Sequence, residues 1–246
     1  MLKTLIVTSA LTFVPENYDR MIGPMAQHPS VVGLLILDNR SSLYLFQALF
    51  LILSLSAPRM GLTLIKNYFG PSMKRRKQIY ESLGKKVWVL STINCEAAAE
   101  ILKNENIDLV INSRTRFIYK KSILQIPKMG CLNIHHGLLP EQRGLMCDFW
   151  AHLEGTPFGF SIHQMTPKID DGPILKVVPV ESPRKNYLQS IFMASIQEAK
   201  TCLKLLDEII EKQALAGIPN SSDQKIYRKN PSLKDGYRLQ MKGIRL

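Results

Sequence analysis

Two polar side chains end an apolar stretch of the chain, in the sequence NIHHGLLPEQRG that runs from Asn133 to Gly144. Asn133 and His135 are two residues apart, so on a β-strand both side chains point to the same face. The amide of Asn133 can donate a hydrogen bond to an oxygen that gains negative charge, and the imidazole of His135 can donate a hydrogen bond or move a proton. A buried, hydrogen-bonded histidine with a structural role is the alternative interpretation.

An acidic turn follows 35 residues after His135, in the sequence KIDDGPIL, where Asp170 and Asp171 precede a glycine and an apolar run. A carboxylate beside Asn133 and His135 would orient or charge the imidazole. Together the three groups suit an acyl transfer from one nitrogen to another. Such a reaction needs no serine or cysteine nucleophile, because the acceptor amine attacks directly.

The elements that must position these groups alternate between short apolar runs and helical patterns, which is typical of an α/β protein with a mostly parallel sheet flanked by helices. Strands are predicted over 4–8, 31–37, 87–90, 109–112, 131–135, 160–165 and 175–180, and helices over 16–27, 95–104 and 145–154. In an open α/β sheet, ligands bind at the carboxyl ends of the strands. That rule places Asn133 and His135 at the mouth of a site.

A long late helix is predicted from apolar residues that recur every three or four positions and form one stripe for core packing. Gly217 and Pro219 are expected to stop this helix. The stripe comprises Leu188, Phe192, Ile196, Ala199, Leu203, Leu206 and Ile210.

The stretch 41–58 carries no charge and is apolar almost all round. Its length reaches the lower limit for a membrane span, but it lies between two predicted strands, where a span would divide the domain. Packing or dimerisation is the preferred interpretation, contact with a membrane interface is the second, and a true span is the third.

The chain of 246 residues has a formal net charge of +12, which indicates an anionic partner such as a nucleic acid, a membrane face or a phosphorylated substrate. Residues 225–246 contain seven Lys and Arg against one Asp, and a solvated basic tail is preferred there over a nucleic-acid site. The four cysteines show no CxxC spacing and predict reduced thiols in a cytoplasmic protein. The first 15 residues are interpreted as a first strand and not as an export signal.

The segments GCLNIHHGLLPEQRG and FWAHLEGTPFGFSIHQMTPKIDDGPIL resemble the formyltetrahydrofolate-dependent formyltransferase family. The family pattern is Asn-x-His, a Leu-Pro-x-x-Arg-Gly loop, a Trp-Ala helix, a Gly-x-x-Ile-His strand and an Asp-x-Gly turn, and the close match covers about residues 108–180. The resemblance implies a Rossmann-like fold and transfer of a formyl group from 10-formyltetrahydrofolate to a primary amine, with no metal ion.

The resemblance also implies roles for individual residues. Asn133, His135 and Asp170 are the implied catalytic trio, and Asp170 is chosen over Asp171 because it stands two before the glycine. His163 stands where family members often carry a histidine, and its place in the pocket stays open. The implied folate-binding residues are Arg116, Phe117, Ile118, Leu139 and Ile169.

The acceptor is expected to be a small, anionic amine, such as a nucleotide- or lipid-linked amino sugar. A glycine-rich phosphate loop is missing after the first strand, which disfavours the purine-pathway member of the family. Methionyl-tRNA formyltransferase-like activity is one alternative, with tRNA a less favoured partner, and a non-catalytic folate-fold module that binds tRNA or a membrane is another. Cys147 stands where relatives commonly have a proline, which leaves the acceptor side open.

The expected organisation is a catalytic domain over 1–182, with an apolar helical insertion at 41–66, followed by a helical, basic C-terminal extension over 183–246. The insertion is the expected site of a homodimer or membrane-surface contact. The protein is expected in the cytoplasm, with a peripheral position at the inner face of a membrane as the alternative.

Overall fold

A computed structural model describes residues 1–181 and 185–246 of the chain. A short 3-10 turn, Pro15–Tyr18, precedes the first helix. The helices and strands are, in chain order, β1 (Thr4–Ser9), α1 (Asp19–Met25), β2 (Val31–Leu37), α2 (Ser42–Leu53), α3 (Pro58–Phe69), α4 (Ser72–Ser82), β3 (Lys86–Leu90), α5 (Glu96–Asn104), β4 (Leu109–Ser113), α6 (Lys121–Leu124), β5 (Cys131–His135), β6 (Gln142–Gly144), α7 (Cys147–Glu154), β7 (Gly159–Gln164), β8 (Ile174–Pro179), α8 (Tyr187–Lys212), β9 (Ile226–Arg228) and α9 (Leu233–Met241).

Within the described residues, the main sheet has seven strands in the order β3-β2-β1-β4-β5-β7-β8. The first five strands of that order are parallel, and β7 and β8 join antiparallel. Helices cover both faces, and the predicted Rossmann-like, mostly parallel architecture is confirmed. The apolar runs of β1 and β4 are buried throughout, as expected for strands covered on both sides.

The first helix, predicted over 16–27, consists in the structure of a 3-10 turn followed by the shorter helix α1. Glu16, Asn17 and Tyr18 all have positive φ angles, so the chain makes a 3-10 turn before α1 begins at Asp19. Left-handed backbone cannot continue an α-helix of L-residues. The buried Asn17 side chain accepts from Thr12 N and donates to Ala10 O, which ties this turn to the end of β1.

Leu188, Ala199 and Leu206 of the predicted α8 stripe are buried as expected, but the buried face of the helix is centred about one residue earlier. Phe192, Ile196 and Leu203 are half-buried and Ile210 is exposed, whereas the buried row runs through Tyr187, Ile191, Ala194, Glu198, Cys202, Leu205 and Ile209. An apolar pattern could not detect this row, because it includes buried polar residues, above all Glu198. The helix also ends earlier than predicted, at Lys212, because Gln213 takes a left-handed conformation with φ 51° before Gly217 and Pro219 are reached.

The segment 41–66 folds as two packed helices, α2 and α3, and α3 continues three residues beyond the predicted end of the insertion. The two backbones approach closely at Gly61, where a Cβ would lie 2.5 Å from Ala48 O. In the described part of the chain, no helix combines the length and the apolar character that crossing a bilayer requires. The predicted domain boundary at 182/183 lies outside the described residues.

The basic C-terminal region is folded onto the domain and is not a free tail, although most of its Lys and Arg side chains are exposed to solvent as expected. Strand β9 pairs in parallel with β6, and Trp150 Nε1 donates to Lys229 O at 2.9 Å. The guanidinium of Arg228 lies 5.2 Å from the centre of the Trp150 ring and bonds Glu154 at 2.6 Å. Through this backbone pairing and these ring contacts, the basic segment packs against the loop that follows Asn133 and His135.

Candidate active site

Two asparagines meet side by side at the carboxyl ends of β4 and β5. Asn112 is in register with Asn133, and its Nδ2 donates to Asn133 Oδ1 at 2.8 Å. Thr115 and Tyr119 both donate to Asn112 Oδ1, at 2.6 and 3.2 Å. Since Asn112 Oδ1 is an acceptor, its Nδ2 must be the donor, and Asn133 is held with its own Nδ2 directed away from β4.

The amide nitrogen of Asn133 is a hydrogen-bond donor beside the cavity. One of its hydrogens is directed at His163 Nε2, 3.2 Å away, on the antiparallel neighbour β7. His163 donates its ring proton, on Nδ1, to Gln164 O at 2.9 Å, so its Nε2 is free to accept from Asn133. The second hydrogen of Asn133 Nδ2 is therefore left for a group in the cavity, which Asn133 and His163 both line.

His135 is held in one tautomer by the backbone of the loop that follows it. Its Nε2 lies 2.7 Å from Gln142 O, and because a carbonyl oxygen can only accept, Nε2 carries the proton in the neutral ring. Gly137 allows the chain to pass against the ring, since a Cβ there would lie 2.7 Å from His135 Nε2. The unprotonated Nδ1 faces Asp170.

Asp170 sits at the centre of three polar contacts. Its Oδ1 lies 3.4 Å from His135 Nδ1 and 3.5 Å from His163 Nε2, and its Oδ2 accepts from Gly144 N at 2.8 Å. The residue has a positive φ of 49°, which turns the carboxylate back toward the strand ends. Asp171 instead bonds Arg143 Nη1 at 2.9 Å, so the structure places Asp170 and not its neighbour against the histidines.

The protonation states of His135 and Asp170 follow from their burial and from their mutual attraction. Burial lowers the pKa of His135, and the nearby Asp170 carboxylate opposes that shift without cancelling it. Burial alone would raise the pKa of Asp170, but a hydrogen bond from protonated His163, the charge of protonated His135 and the Gly144 amide together bring it below the usual value. At neutral pH the site therefore holds a carboxylate beside a neutral imidazole, an arrangement that can take up a proton.

Arg143 connects the loop after β5 to the acidic turn and is fully buried. It donates to Pro140 O at 2.9 Å, to Asn220 O at 3.0 Å and to the backbone oxygen of Asp170. Asn220 in turn donates to Asp170 O at 3.1 Å and Gly172 O at 2.9 Å.

The sequence analysis did not predict Asn112 and Asn220 as residues of the site. A polar residue that ends an apolar strand was the available signal for Asn112, and no pattern marked Asn220.

A cavity of about 730 Å³ runs over the strand ends, and Asn133, His135 and Asp170 lie on its wall. Of the predicted folate-binding residues, Arg116, Phe117, Ile118 and Ile169 line the cavity. Ile118 and Ile169 are large apolar side chains that stay exposed there. Leu139 is not on the wall, because it is buried behind the loop, where its N–H donates to Ser161 Oγ at 2.9 Å.

Another part of the cavity wall is formed by the end of β1, the loop after it and the helices of the insertion. Its apolar side chains come from the loop after β1 and from α2 and α3, and they are Leu11, Tyr44, Leu51, Met60 and Leu64. Basic residues also line the cavity, and they are Arg114, Arg116, Lys168, Arg228 and Lys229. A ligand in this cavity would meet apolar walls and a positive rim.

His136 points to the other face of the sheet from His135, as predicted, and belongs to a buried charged cluster. Its Nε2 lies 3.1 Å from Glu198 Oε1 and its Nδ1 3.7 Å from Asp148 Oδ2. Burial lowers the pKa of His136 to about 3 and raises that of Glu198 well above its usual value. Arg114 lies 3.9 Å from Asp148, and burial lowers its pKa to about 10.

Cys147 begins α7 and is buried, and burial raises the pKa of its thiol. Its Sγ lies 3.8 Å from Gly144 O and does not line the cavity. A buried thiol with a raised pKa is a poor nucleophile. Cys147 therefore supports the loop and takes no part in an attack.

The fold is a Rossmann-like sheet in which an Asn-x-His motif at the end of a strand faces an acidic turn. This combination defines a class of α/β proteins suited to group transfer. Residues 66–200, more than half of the chain, match the family described as formyl transferase. The chain belongs to the formyl transferase family.

Among curated relatives, methionyl-tRNA formyltransferase of Blochmanniella floridana is 42% identical over 113 residues, which is 45% of this chain and 35% of the relative. The bifunctional polymyxin resistance protein ArnA of Wigglesworthia glossinidia brevipalpis is 30% identical over 130 residues, 52% of this chain and 20% of the relative. The chain thus spans about a third or less of the length of these two proteins.

Solved structures share the fold at low identity. A 4-N formyltransferase from Francisella tularensis is similar over 92% of this chain and 76% of its own, with a TM-score of 0.59 and 18% identity. Phosphoribosylglycinamide formyltransferase from Streptococcus pneumoniae TIGR4 is similar over 87% of this chain and 99% of its own, with a TM-score of 0.57 and 19% identity. These likenesses establish the architecture and leave the acceptor open.

Proposed function

We propose that this protein transfers a formyl group from 10-formyltetrahydrofolate to a primary amine. The observation that carries the proposal is the convergence of the Asn133 amide, the neutral His135 ring and the Asp170 carboxylate on the wall of one cavity. A donor for a developing negative charge and an acceptor for an amine proton are the two groups that this transfer needs.

The cavity suits a folate on the side of Phe117. The exposed apolar side chains of Ile118 and Ile169 can pack against the flat heteroaromatic ring of the folate. Arg116 and Lys168 can pair with the carboxylates of the folate's glutamate part. When bound, the formyl donor supplies an activated one-carbon group. Ligand pockets of this kind combine apolar walls with a few convergent polar groups.

Each member of the trio has a separate task in this proposal. Asn133 Nδ2 donates to the formyl oxygen as negative charge develops on it. Asp170 draws a proton from the attacking amine, directly or through His135 Nδ1, and the proton passes on to the departing nitrogen. Once protonated, His135 Nδ1 also becomes a donor and stabilises the same oxygen.

The acceptor is proposed to be an anionic amine with an apolar part, such as a nucleotide- or lipid-linked amino sugar. The positive rim of the cavity favours the anionic group, and the wall formed by Leu11, Tyr44 and Met60 favours the apolar part. A methionyl-tRNA acceptor is the second candidate. The folded basic segment around Arg228 and Lys229, which borders the cavity, is the observation that favours it.

A test combines folate binding with a panel of acceptors. Tetrahydrofolate release is followed by absorbance for nucleotide-linked amino sugars, lipid-linked amino sugars and methionyl-tRNA, each with the wild type and with Asp170→Asn. Release that requires one acceptor and Asp170 supports the proposal and identifies the acceptor class. Folate binding without release for any acceptor favours a non-catalytic module, and the absence of folate binding contradicts the proposal.

Asp171→Asn is the matched comparison for Asp170→Asn, since the same change is made one residue along the chain. The amide oxygen of the introduced asparagine can still accept the hydrogen bond that Arg143 donates to Asp171 in the wild type. Turnover of Asp171→Asn is expected to fall less than about tenfold, against about a hundredfold or more for Asp170→Asn.

A further inference from the structure

The outer face of α2 is an exposed apolar surface. Phe46 is 68% exposed and Leu53 is 80% exposed, and the other apolar residues on this surface are Leu43, Leu49, Phe50 and Leu55. Leu43, Phe46, Phe50 and Leu53 are spaced by three, four and three residues, so they form one stripe along the helix. Single exposed apolar side chains are ordinary, but a continuous stripe on a folded protein marks a contact surface.

A second helix from the other end of the chain lies beside this stripe. Gln240 Nε2 donates to Leu55 O at 2.8 Å and to Ser56 O at 2.6 Å, and Tyr237 donates to the backbone oxygen of Ser54. On α9, Leu233, Tyr237 and Met241 are spaced by four residues and are exposed, Met241 by 87%. These bonds place α9 next to the C-terminal end of α2, and the two exposed apolar rows together are called the α2–α9 face.

Positive charge is concentrated in the two segments of the chain that carry the α2–α9 face. Residues 41–80 contain six Lys and Arg and no Asp or Glu. Arg76 is buried against Asp19, at 2.7 Å, and serves the fold, whereas the exposed basic residues of this part of the chain are Arg59, Lys66, Lys74 and Arg75. The C-terminal segment adds exposed cations at Lys234, Arg238, Lys242 and Arg245.

This charge pattern decides between occupants of the face. A second copy of the chain would bring two sets of cations together, which is unfavourable without intervening acidic groups. A bilayer that contains anionic lipid instead offers negative headgroups to the cations and an apolar interior to the leucines and phenylalanines.

We propose that the α2–α9 face docks onto the surface of an anionic bilayer, with Phe46, Phe50 and Leu53 inserted below the headgroups. The inner side of α2 carries Tyr44 and Leu51, which line the cavity. Docking therefore brings the apolar wall of the cavity next to the membrane surface. The proposal does not depend on formyl transfer, because it rests on a surface outside the catalytic trio.

Vesicle flotation of the full chain tests the proposal. The protein is mixed with phosphatidylcholine vesicles that contain about 30% phosphatidylserine, and separately with pure phosphatidylcholine vesicles, at about 0.1 M salt. Flotation is expected with the anionic vesicles and at least about fivefold less with the neutral ones, and higher salt should weaken it. Equal flotation with both compositions, or none with either, contradicts the proposal.

Two variants locate the contact. Phe46→Ser combined with Leu53→Ser is expected to reduce flotation about tenfold or more, because both changes remove apolar surface from the stripe. Ile218→Ser is the matched control, since Ile218 is 63% exposed but lies outside the α2–α9 face, and its flotation should match the wild type. Equal losses in both proteins would overturn the assignment of the face.

Light scattering of the same proteins separates a membrane contact from a protein interface. The wild type is expected to show a mass that does not rise with concentration in the micromolar range. A concentration-dependent dimer that the Phe46→Ser, Leu53→Ser protein loses, together with no flotation of the wild type, would show that a second copy occupies the face. Circular dichroism confirms that each variant is folded.

Discussion

Asn112 Nδ2 donates to Asn133 Oδ1 over 2.8 Å, and this bond determines which end of the Asn133 amide faces the cavity. Asn112 itself is oriented by Thr115 and Tyr119, which both donate to its oxygen. A chain of hydrogen bonds thus begins outside the proposed catalytic trio and ends at the donor that the proposed reaction requires. Asn112 is a positioning residue for Asn133.

Asn112→Asp is expected to lower kcat about tenfold or more while the KM for the formyl donor changes little. An aspartate cannot donate to Asn133 Oδ1, so the Asn133 amide loses its fixed orientation, and a misplaced hydrogen bond costs about 1–3 kcal/mol. Steady-state kinetics separates the two constants. Thr115→Val, which removes a bond to Asn112 Oδ1 but keeps the Asn112 donor, should have the smaller effect. A change in KM alone would contradict a positioning role.

His135→Ala is expected to reduce kcat about a hundredfold or more, with folding unchanged. The measurement is tetrahydrofolate release at saturating substrates. His136→Ala is the comparison from the neighbouring position, because the ring nitrogens of His136 face Asp148 and Glu198 and not Asp170. A larger loss of kcat for His136→Ala than for His135→Ala would reverse the assignment of the two histidines.

The pH dependence of kcat should report the charge of His135. Its pKa is lowered by burial, so the neutral ring persists below the usual histidine range and the acid limb should lie below about pH 6.5. Asp170 acts to raise the pKa of His135, so Asp170→Asn should move the remaining acid limb to still lower pH. An acid limb that rises in Asp170→Asn would be inconsistent with their contact.

Glu198→Gln is expected to change the pH dependence of the free energy of unfolding. The folded-state pKa of Glu198 is raised, so the stability that its protonated form contributes is present below about pH 4.5 and is lost as pH rises toward the folded pKa. Urea unfolding of the wild type should show falling stability as pH rises from about 7 to about 8, where His136 is neutral in both states and the cysteine thiols remain largely protonated in both states. Glutamine cannot ionise and should flatten that slope.

Glu211→Gln serves as the control for Glu198→Gln, since Glu211 is an exposed residue on the same helix. Its unfolding profile should follow the wild type between the same pH values. If Glu198→Gln and the wild type have equal slopes, Glu198 is ionised in the folded protein and the account of the buried cluster is wrong.

Much of the sheet could be predicted from the sequence because buried parallel strands are continuous apolar runs. The strands at 31–37 and 131–135 have the predicted bounds, and the others differ by one or two residues. The row of α8 that packs in the core could not be read in the same way. Its surface includes Ser190, Ser195 and Glu198, and their burial depends on partners from other elements.

The candidate site was also predictable only in part, because only some of its residues belong to local sequence patterns. Asn133, His135 and Asp170 stand in local patterns whose spacing marks them. Asn220 and the fold of the basic region do not, since Asn220 meets Asp170 across 50 residues and β9 pairs with β6 across more than 80. Contacts at such separations are set by the tertiary fold and leave no local pattern in the sequence.

The most direct test of formyl transfer by this site is a single-turnover measurement of tetrahydrofolate release, with the enzyme in excess over 10-formyltetrahydrofolate and an acceptor amine present. The wild type should release tetrahydrofolate and form one formylated amine per donor, while Asp170→Asn should slow the step about a hundredfold or more although it still binds the folate. Equal rates in the two proteins would contradict the role of the Asp170 carboxylate and the proposed reaction at this site.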